Sequence, residues 1–237
     1  MSLTHLSAPT LAVQAYEAVR QAIVDGSLAR GEKVTERGLA DLLNTSPTPV
    51  REAIRRLEQD RLLERRGLRT LVVTDVDATE IADISLIEDT LRAVAARLAA
   101  TRASDDQLRR MAAALDSADM VIAASTSADE QRGLPAEQQA VDRVWQHLRE
   151  FHRLVDQASG SPMLMHMLGM ADAFGPGERR QVLRAEMLTE RSAARQRYPQ
   201  HRAILDALLA RDANRAEALM LDHGHEAAAP RLKARQK

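Results

Sequence analysis

Between Thr35 and Thr74 the spacing of apolar residues changes character twice. Leu39, Leu42 and Leu43 sit at helical spacing, then give way to the polar run Asn44-Thr45-Ser46-Pro47. Beyond it Val50, Ile54 and Leu57 recur at i, i+4 and i+7, which predicts a second helix with one inward stripe. Thr48, Arg51 and Arg55 fall on another face of that helix, and Pro49 suits its first turn, where a missing N–H is harmless. Leu62–Arg65 and Leu71–Thr74 then read as two short strands bending at Gly67. Two short helices around a tight polar turn, followed by such a wing, predict a winged helix-turn-helix. The same periodicity also fits an ordinary helical hairpin, whose arginines would be a solvated face; Glu52 and Arg56 form an i, i+4 pair that needs no partner. The wing, with Arg51, Arg55, Arg65, Arg66 and Arg69 clustered around it, favours DNA.

Upstream, residues 1–10 read as a loose arm. The stripe Val13, Tyr16, Val19, Ala22 and Ile23 predicts a helix over 10–25, stopped by Gly26. Gly31 marks the turn before the next helix. Downstream, Asp77 and Glu80 have capping-box spacing, which puts a boundary near residue 75. No strand-like alternation follows. Helices are expected over about 78–101, 104–124, 135–158, 162–173, 177–197, 200–210 and 213–234, with Ser104, Ser161 and Asp212 as N-caps. Pro135, Pro162 and Pro199 mark helix starts, and residues 125–134 form a loop. The chain is therefore read as mostly α: a winged helix-turn-helix DNA-binding domain over 1–75 and an all-α antiparallel helical bundle over 76–237.

Composition narrows this reading rather than changing it. The 237 residues suffice for two modest domains, and a net charge of −1 still permits a local basic face. Aromatic residues are only 2%, against base stacking on single strands. The absence of cysteine removes disulfides and thiolate sites. No apolar run is long enough to span a bilayer, and the first ten residues lack the features of a signal peptide, so a cytoplasmic protein with no membrane partner is expected.

Ala40-Asp41-Leu42-Leu43, followed by Thr48-Pro49-Val50-Arg51-Glu52-Ala53-Ile54-Arg55-Arg56-Leu57-Glu58, resembles the signature of the GntR family of bacterial transcription regulators. The likeness runs through the wing to about Val73. It implies double-stranded operator DNA as partner. Arg51 and Arg55 would serve bases or phosphates, Arg37, Ser46 and Thr48 would add phosphate or base contacts, and Arg69 of the wing would reach the minor groove. The family usually carries arginine just before the Thr-Pro pair; here it is Pro47, which implies an altered or relaxed preference at that base.

Farther on, Val94–Ala100, Phe151-His152 with Ala158-Ser159-Gly160, and His201–Ala207 with Asp212 and His223 resemble the FCD domain of the FadR-type branch. That resemblance implies a homodimer and a small-molecule effector bound among the helices. Arg66-Gly67-Leu68-Arg69, with the His201 and His223 region, is similar to vanillate-type regulators, which implies an aromatic or other small organic acid. Three of the seven histidines, His152, His201 and His223, would converge on a divalent metal, and neutral imidazoles suit zinc or nickel. Taken without the resemblance, three histidines so far apart fit separate surface or satisfied core positions better than a shared site.

Two departures bear on the effector. The family's acidic ligand, one helical turn before the first histidine, is Leu148 here. His147 does not replace it, because an i, i+5 pair is separated by about 140°. Metal affinity should fall, leaving the histidines as hydrogen-bonding groups beside an apolar Leu148. The family's Arg-then-Glu pair is reversed as Glu88 and Arg92, which reads either as a displaced effector contact or as a plain intrahelical ion pair. Met163, Met165, Met167 and Met170 read either as an adaptable apolar wall or as plain core, and core is the expectation. The expected function is a ligand-responsive repressor without catalytic residues. The alternatives are a three-histidine metal-dependent hydrolase and an effector-independent DNA-binding dimer.

Overall fold

The computed structural model describes residues 10–67, 70–126, 134–174 and 191–234. They divide into two compact units: Met1–Asp77 with Asp172–Gly177, and Ala78–Ala171 with Glu178–Lys237. No described helix is long and apolar enough to cross a membrane.

In the first unit, α1 (Leu11–Asp25) starts where Thr10 Oγ1 accepts from the Val13 amide, and stops at Gly26 in the left-handed conformation. Strand β1 (Lys33–Val34) follows, then α2 (Glu36–Leu42), capped by Thr35, and α3 (Pro47–Gln59). The wing is β2 (Leu63–Arg65) and β3 (Leu71–Val73). The sheet is antiparallel in the order β1-β3-β2, with Val34 opposite Leu71 and Leu63 opposite Val73. The two-residue β1 is too short to carry a sequence pattern and was not among the expected strands. Val50, Ala53, Ile54 and Leu57 of α3 are almost fully buried against Tyr16, Val19 and Ile23 of α1, Leu39 of α2, and the inward residues of the wing. That burial fixes which face of α3 looks outward.

The second unit is all α: α4 (Ala78–Arg102), α5 (Asp105–Thr126), α6 (Leu134–Ala158), α7 (Pro162–Asp172), α8 (Arg191–Leu209) and α9 (Ala213–Ala234). The expected caps form. Ser104 and Gln107 bond each other's backbone N–H as a reciprocal box, while Ser161 and Asp212 accept from Leu164 and Arg215. Along α6, Val144, Leu148, Phe151, Val155 and Ala158 make one stripe, packed with Met111, Leu115, Ile204, Leu208 and Met220.

Two expectations fail here. Pro199 does not begin a helix; it lies inside α8. The following Ile204, Leu205, Ala207 and Leu208 are buried in the core, and this packing holds the helix together despite the missing N–H. Three of the four α7 methionines are not core: Met163, Met167 and Met170 are exposed at 67%, 43% and 37%, and Met165 is half-buried, because α7 turns Leu164 and Leu168 toward α4 instead. Most of the helix expected over 177–197 lies outside the described residues, as does most of the loop over 125–134.

Candidate functional site

The outward face of α3 carries Thr48, Arg51 and Arg55, all exposed, with Ser46 at the N-cap position and Arg37 exposed on α2. Ser46 makes no side-chain cap bond, so its hydroxyl is not committed to the helix end. Pro47 occupies the first turn and contributes no amide. Arg56, although exposed, stacks 4.5 Å over the Tyr16 ring and belongs to the α1–α3 packing. Arg69 lies outside the described residues. Two carboxylates that sequence reasoning missed stand on the same face. Arg51 Nε donates to Glu36 Oε2 at 3.1 Å, and Arg65 Nε donates to Glu58 Oε1 at 3.0 Å. Face and charge together suit a polyanion, and helix and wing suit a groove.

In the helical unit His152 of α6, His201 of α8 and His223 of α9 meet. One ring nitrogen from each lies within 4.8 Å of the others. The His201 and His223 rings are 4.3 Å apart, and His152 is 5.1 Å and 5.2 Å from them. Two of the rings have an acceptor oxygen beside Nδ1: His223 Nδ1 is 2.9 Å from Gln200 Oε1, and His201 Nδ1 is 3.4 Å from the Tyr198 carbonyl. In the neutral tautomer that donates through Nδ1 to these oxygens, Nε2 is the nitrogen with the lone pair. This donor set fits a divalent cation of borderline softness, with outer partners of the usual kind. Leu148 is buried one turn before His152, beside Phe151, whose ring meets His152 and His201 edge-on. His147 is half-buried, and His166 and His225 are exposed.

Charge gathers close by. Glu88, Asp89 and Asp156 are all buried, and Asp156 lies one turn beyond His152 on the same face of α6. Arg92 is ion-paired with Glu88 along α4 and lies 3.7 Å from Asp156, so the reversed pair does form an intrahelical bridge, within the bundle. A Cβ on Gly224, next to His223, would come within 2.6 Å of Asp89 Cγ; only glycine lets the carboxylate this close to α9. Sequence reasoning missed Gln200, Asp89, Asp156 and Gly224. A polar residue beside a proline, and a glycine inside a helix, carry no periodic signal.

Comparison with known proteins decides the family. Residues 11–73 match the model described as bacterial regulatory proteins, gntR family, and residues 83–226 match the FCD domain. The chain belongs to the GntR family. It carries the family's DNA-binding domain together with an FCD domain. Among relatives of this GntR protein, the uncharacterised HTH-type regulator YdhC of Bacillus subtilis is 30% identical over 96 residues, 40% of this chain and 43% of that protein. The chain thus spans less than half the length of that relative. The HTH-type transcriptional repressor RspR of Escherichia coli is 24% identical over 90% of this chain and 85% of its own. Of solved structures, Escherichia coli McbR/YncC shares the fold with a TM-score of 0.71, at 20% identity over 97% of this chain and all of the other. A GntR regulator from Rhodococcus sp. RHA1 gives 0.60 at 22% identity, over 94% and 98%.

Proposed function

We propose that this GntR protein is a cytoplasmic homodimeric repressor that reads a palindromic operator with α3 and is controlled by a small organic acid bound among the FCD helices. Residues 1–75 carry the reading and residues 76–237 carry effector binding and pairing. The observation that supports the reading most is the two-sidedness of α3. Its apolar stripe is buried, so Thr48, Arg51 and Arg55 must face whatever the unit meets. Each copy offers one short reader, and two-fold pairing doubles the site that is read. Pairing is supported by apolar side chains left outside. Leu86, Ile87 and Val94 of α4 and Met163, Met167 and Met170 of α7 are exposed on two helices packed together through Ala95, Leu164 and Leu168.

Arg51→Ala tests this. Affinity for a duplex selected from a random pool should fall by about 1–3 kcal/mol if Arg51 reads a base. An equal loss on every duplex, with a shallower salt slope, would assign it to phosphate instead. No change on any duplex overturns the reading, and sedimentation showing one copy per duplex overturns the dimer.

His152, His201 and His223 are the residues that would hold a divalent metal, more weakly than a site with an acidic ligand in place of Leu148, and that metal would supply open coordination positions for an effector carboxylate. The acceptor beside each Nδ1 supports this, and Glu88, Asp89 and Asp156, three buried carboxylates against the one guanidinium of Arg92, disfavour an anion there without that positive charge. The histidines then sense rather than hydrolyse; turnover of a generic ester by zinc-loaded protein would overturn that assignment.

A further inference from the structure

Four charged side chains form a line across the reading face. Arg51 of α3 donates through Nε to Glu36 Oε2 at 3.1 Å. The other oxygen of Glu36 lies 3.9 Å from Arg65 Nη2 of the wing. Arg65 in turn forks onto Glu58 of α3, with Nε at 3.0 Å and Nη2 at 3.4 Å. Three elements are tied through Glu36, which is held at the first position of α2 by the Thr35 cap.

Stability does not account for this line. Arg51 is 53% exposed and Glu36 30%, and exposed ion pairs are worth little in water. Nor does affinity, because a carboxylate on a face that approaches phosphates repels them. Orientation does. A guanidinium has five donors in one plane, and Glu36 takes the one on Nε. The outer edge, Nη1 and Nη2, is left for two parallel bonds, the form in which arginine reads guanine O6 and N7. A long side chain that would otherwise sample many rotamers is held in one plane before DNA arrives.

We propose that Glu36 is a positioning residue for Arg51, raising discrimination for guanine at one operator position while lowering affinity for duplex DNA in general. This rests on the assignment of α3 as the reader. Three consequences follow for the full-length protein. Glu36→Gln removes the charge: affinity for a scrambled duplex should rise about twofold to fivefold at low salt, while the ratio of selected to scrambled affinity falls about fivefold or more. Glu36→Asp keeps the charge on a stem one methylene shorter: the ratio should fall while scrambled affinity stays unchanged. In an Arg51→Ala background, Glu36→Gln should leave the ratio where Arg51→Ala put it.

The experiment measures binding of these variants to a duplex selected from a random-sequence pool and to its scrambled counterpart, with melting temperatures alongside. An unchanged ratio in both single variants overturns the inference, and so does an equal further drop in the Arg51→Ala background. If the ratio is insensitive to Glu36 while Arg51→Ala still weakens selected binding, this inference alone fails. If Arg51→Ala is silent too, the reader assignment fails with it. A Glu36→Gln variant that melts lower is judged on Glu36→Asp, whose retained charge preserves the favourable interaction with the start of α2.

Discussion

In the winged unit Ile54 is buried on one side of α3, while Arg51 and Arg55 stand exposed on the other. In the helical unit His201 and Leu148 are buried, in the same packed interior as Phe151. The first arrangement separates the groups that meet a partner from the groups that hold the fold. The second merges them: a side chain that lines the histidine site also fills the core. Substitutions on the reading face should therefore change binding and spare stability, whereas those at the histidines should change both at once.

Phe151→Ala is the strongest way to break that contrast. Phe151 is fully buried and touches two of the three histidines, so its loss should destabilise the helical unit by about 3–5 kcal/mol and loosen the site with it. Chemical denaturation followed by zinc titration reads both effects. Zinc affinity equal to that of the unchanged protein, in a destabilised variant, would show that site and core are separable after all.

Leu148→Asp sharpens the same point with a ligand. A carboxylate at this buried position should lower apo stability by about 2–4 kcal/mol. It would also share one helix face with His152, completing a four-ligand set. In chelator the variant should melt below wild type, and on adding zinc it should gain more than wild type does; saturation at a hundred dissociation constants is worth about 2.7 kcal/mol. Full zinc occupancy in the unchanged protein, by elemental analysis, would show that Leu148 takes nothing essential away.

Tyr16→Phe is the counterpart in the winged unit, with the smallest effect. The Tyr16 hydroxyl donates to Asp60 Oδ2 at 2.5 Å, joining α1 to the end of α3 behind the reading face. Loss of that bond should lower stability by about 1–2 kcal/mol, with the ratio of selected to scrambled DNA affinity unaltered. Burial, reinforced by the hydrogen bond and then the charge of Asp60, pushes the phenol up from 10.0 to about 12. Its neutral form is the one the fold favours. The contribution is therefore complete below pH 10 and disappears as pH rises toward 12, and the Phe variant should lose that part of the alkaline transition. Identical alkaline melting curves would contradict it.

The same contrast explains what could be read in the sequence. The α3 stripe and the wing lie within forty residues, so spacing and turn chemistry disclose them. Ser104, Ser161 and Asp212 were equally legible, since a cap bonds residues only three positions away. The convergence of His152, His201 and His223 depends on three helices packing together, and only family resemblance pointed to it. The pairing of Glu36 with Arg51 spans 15 positions and two helices, which no helical or strand period links. Pro199 lies inside a helix against its local propensity to begin one, because the buried Ile204 and Leu208 override that propensity. The methionines misled because an apolar residue is not bound to be buried.

The proline inside α8 has a consequence of its own. Without an N–H, Pro199 leaves the backbone carbonyl four residues earlier with no donor from position 199, so the helical ladder has a missing rung. Tyr198 and Gln200, the two residues that orient imidazoles, flank that gap. A break in the ladder lowers the free energy of local opening relative to a continuous helix. Amide protons of the turn around Pro199 should then exchange with solvent well before those of Ile204 to Leu208, packed in the core of the same helix. The histidine site thus lies at the join between a half-helix held in the core and a half-helix that has lost one hydrogen bond to it.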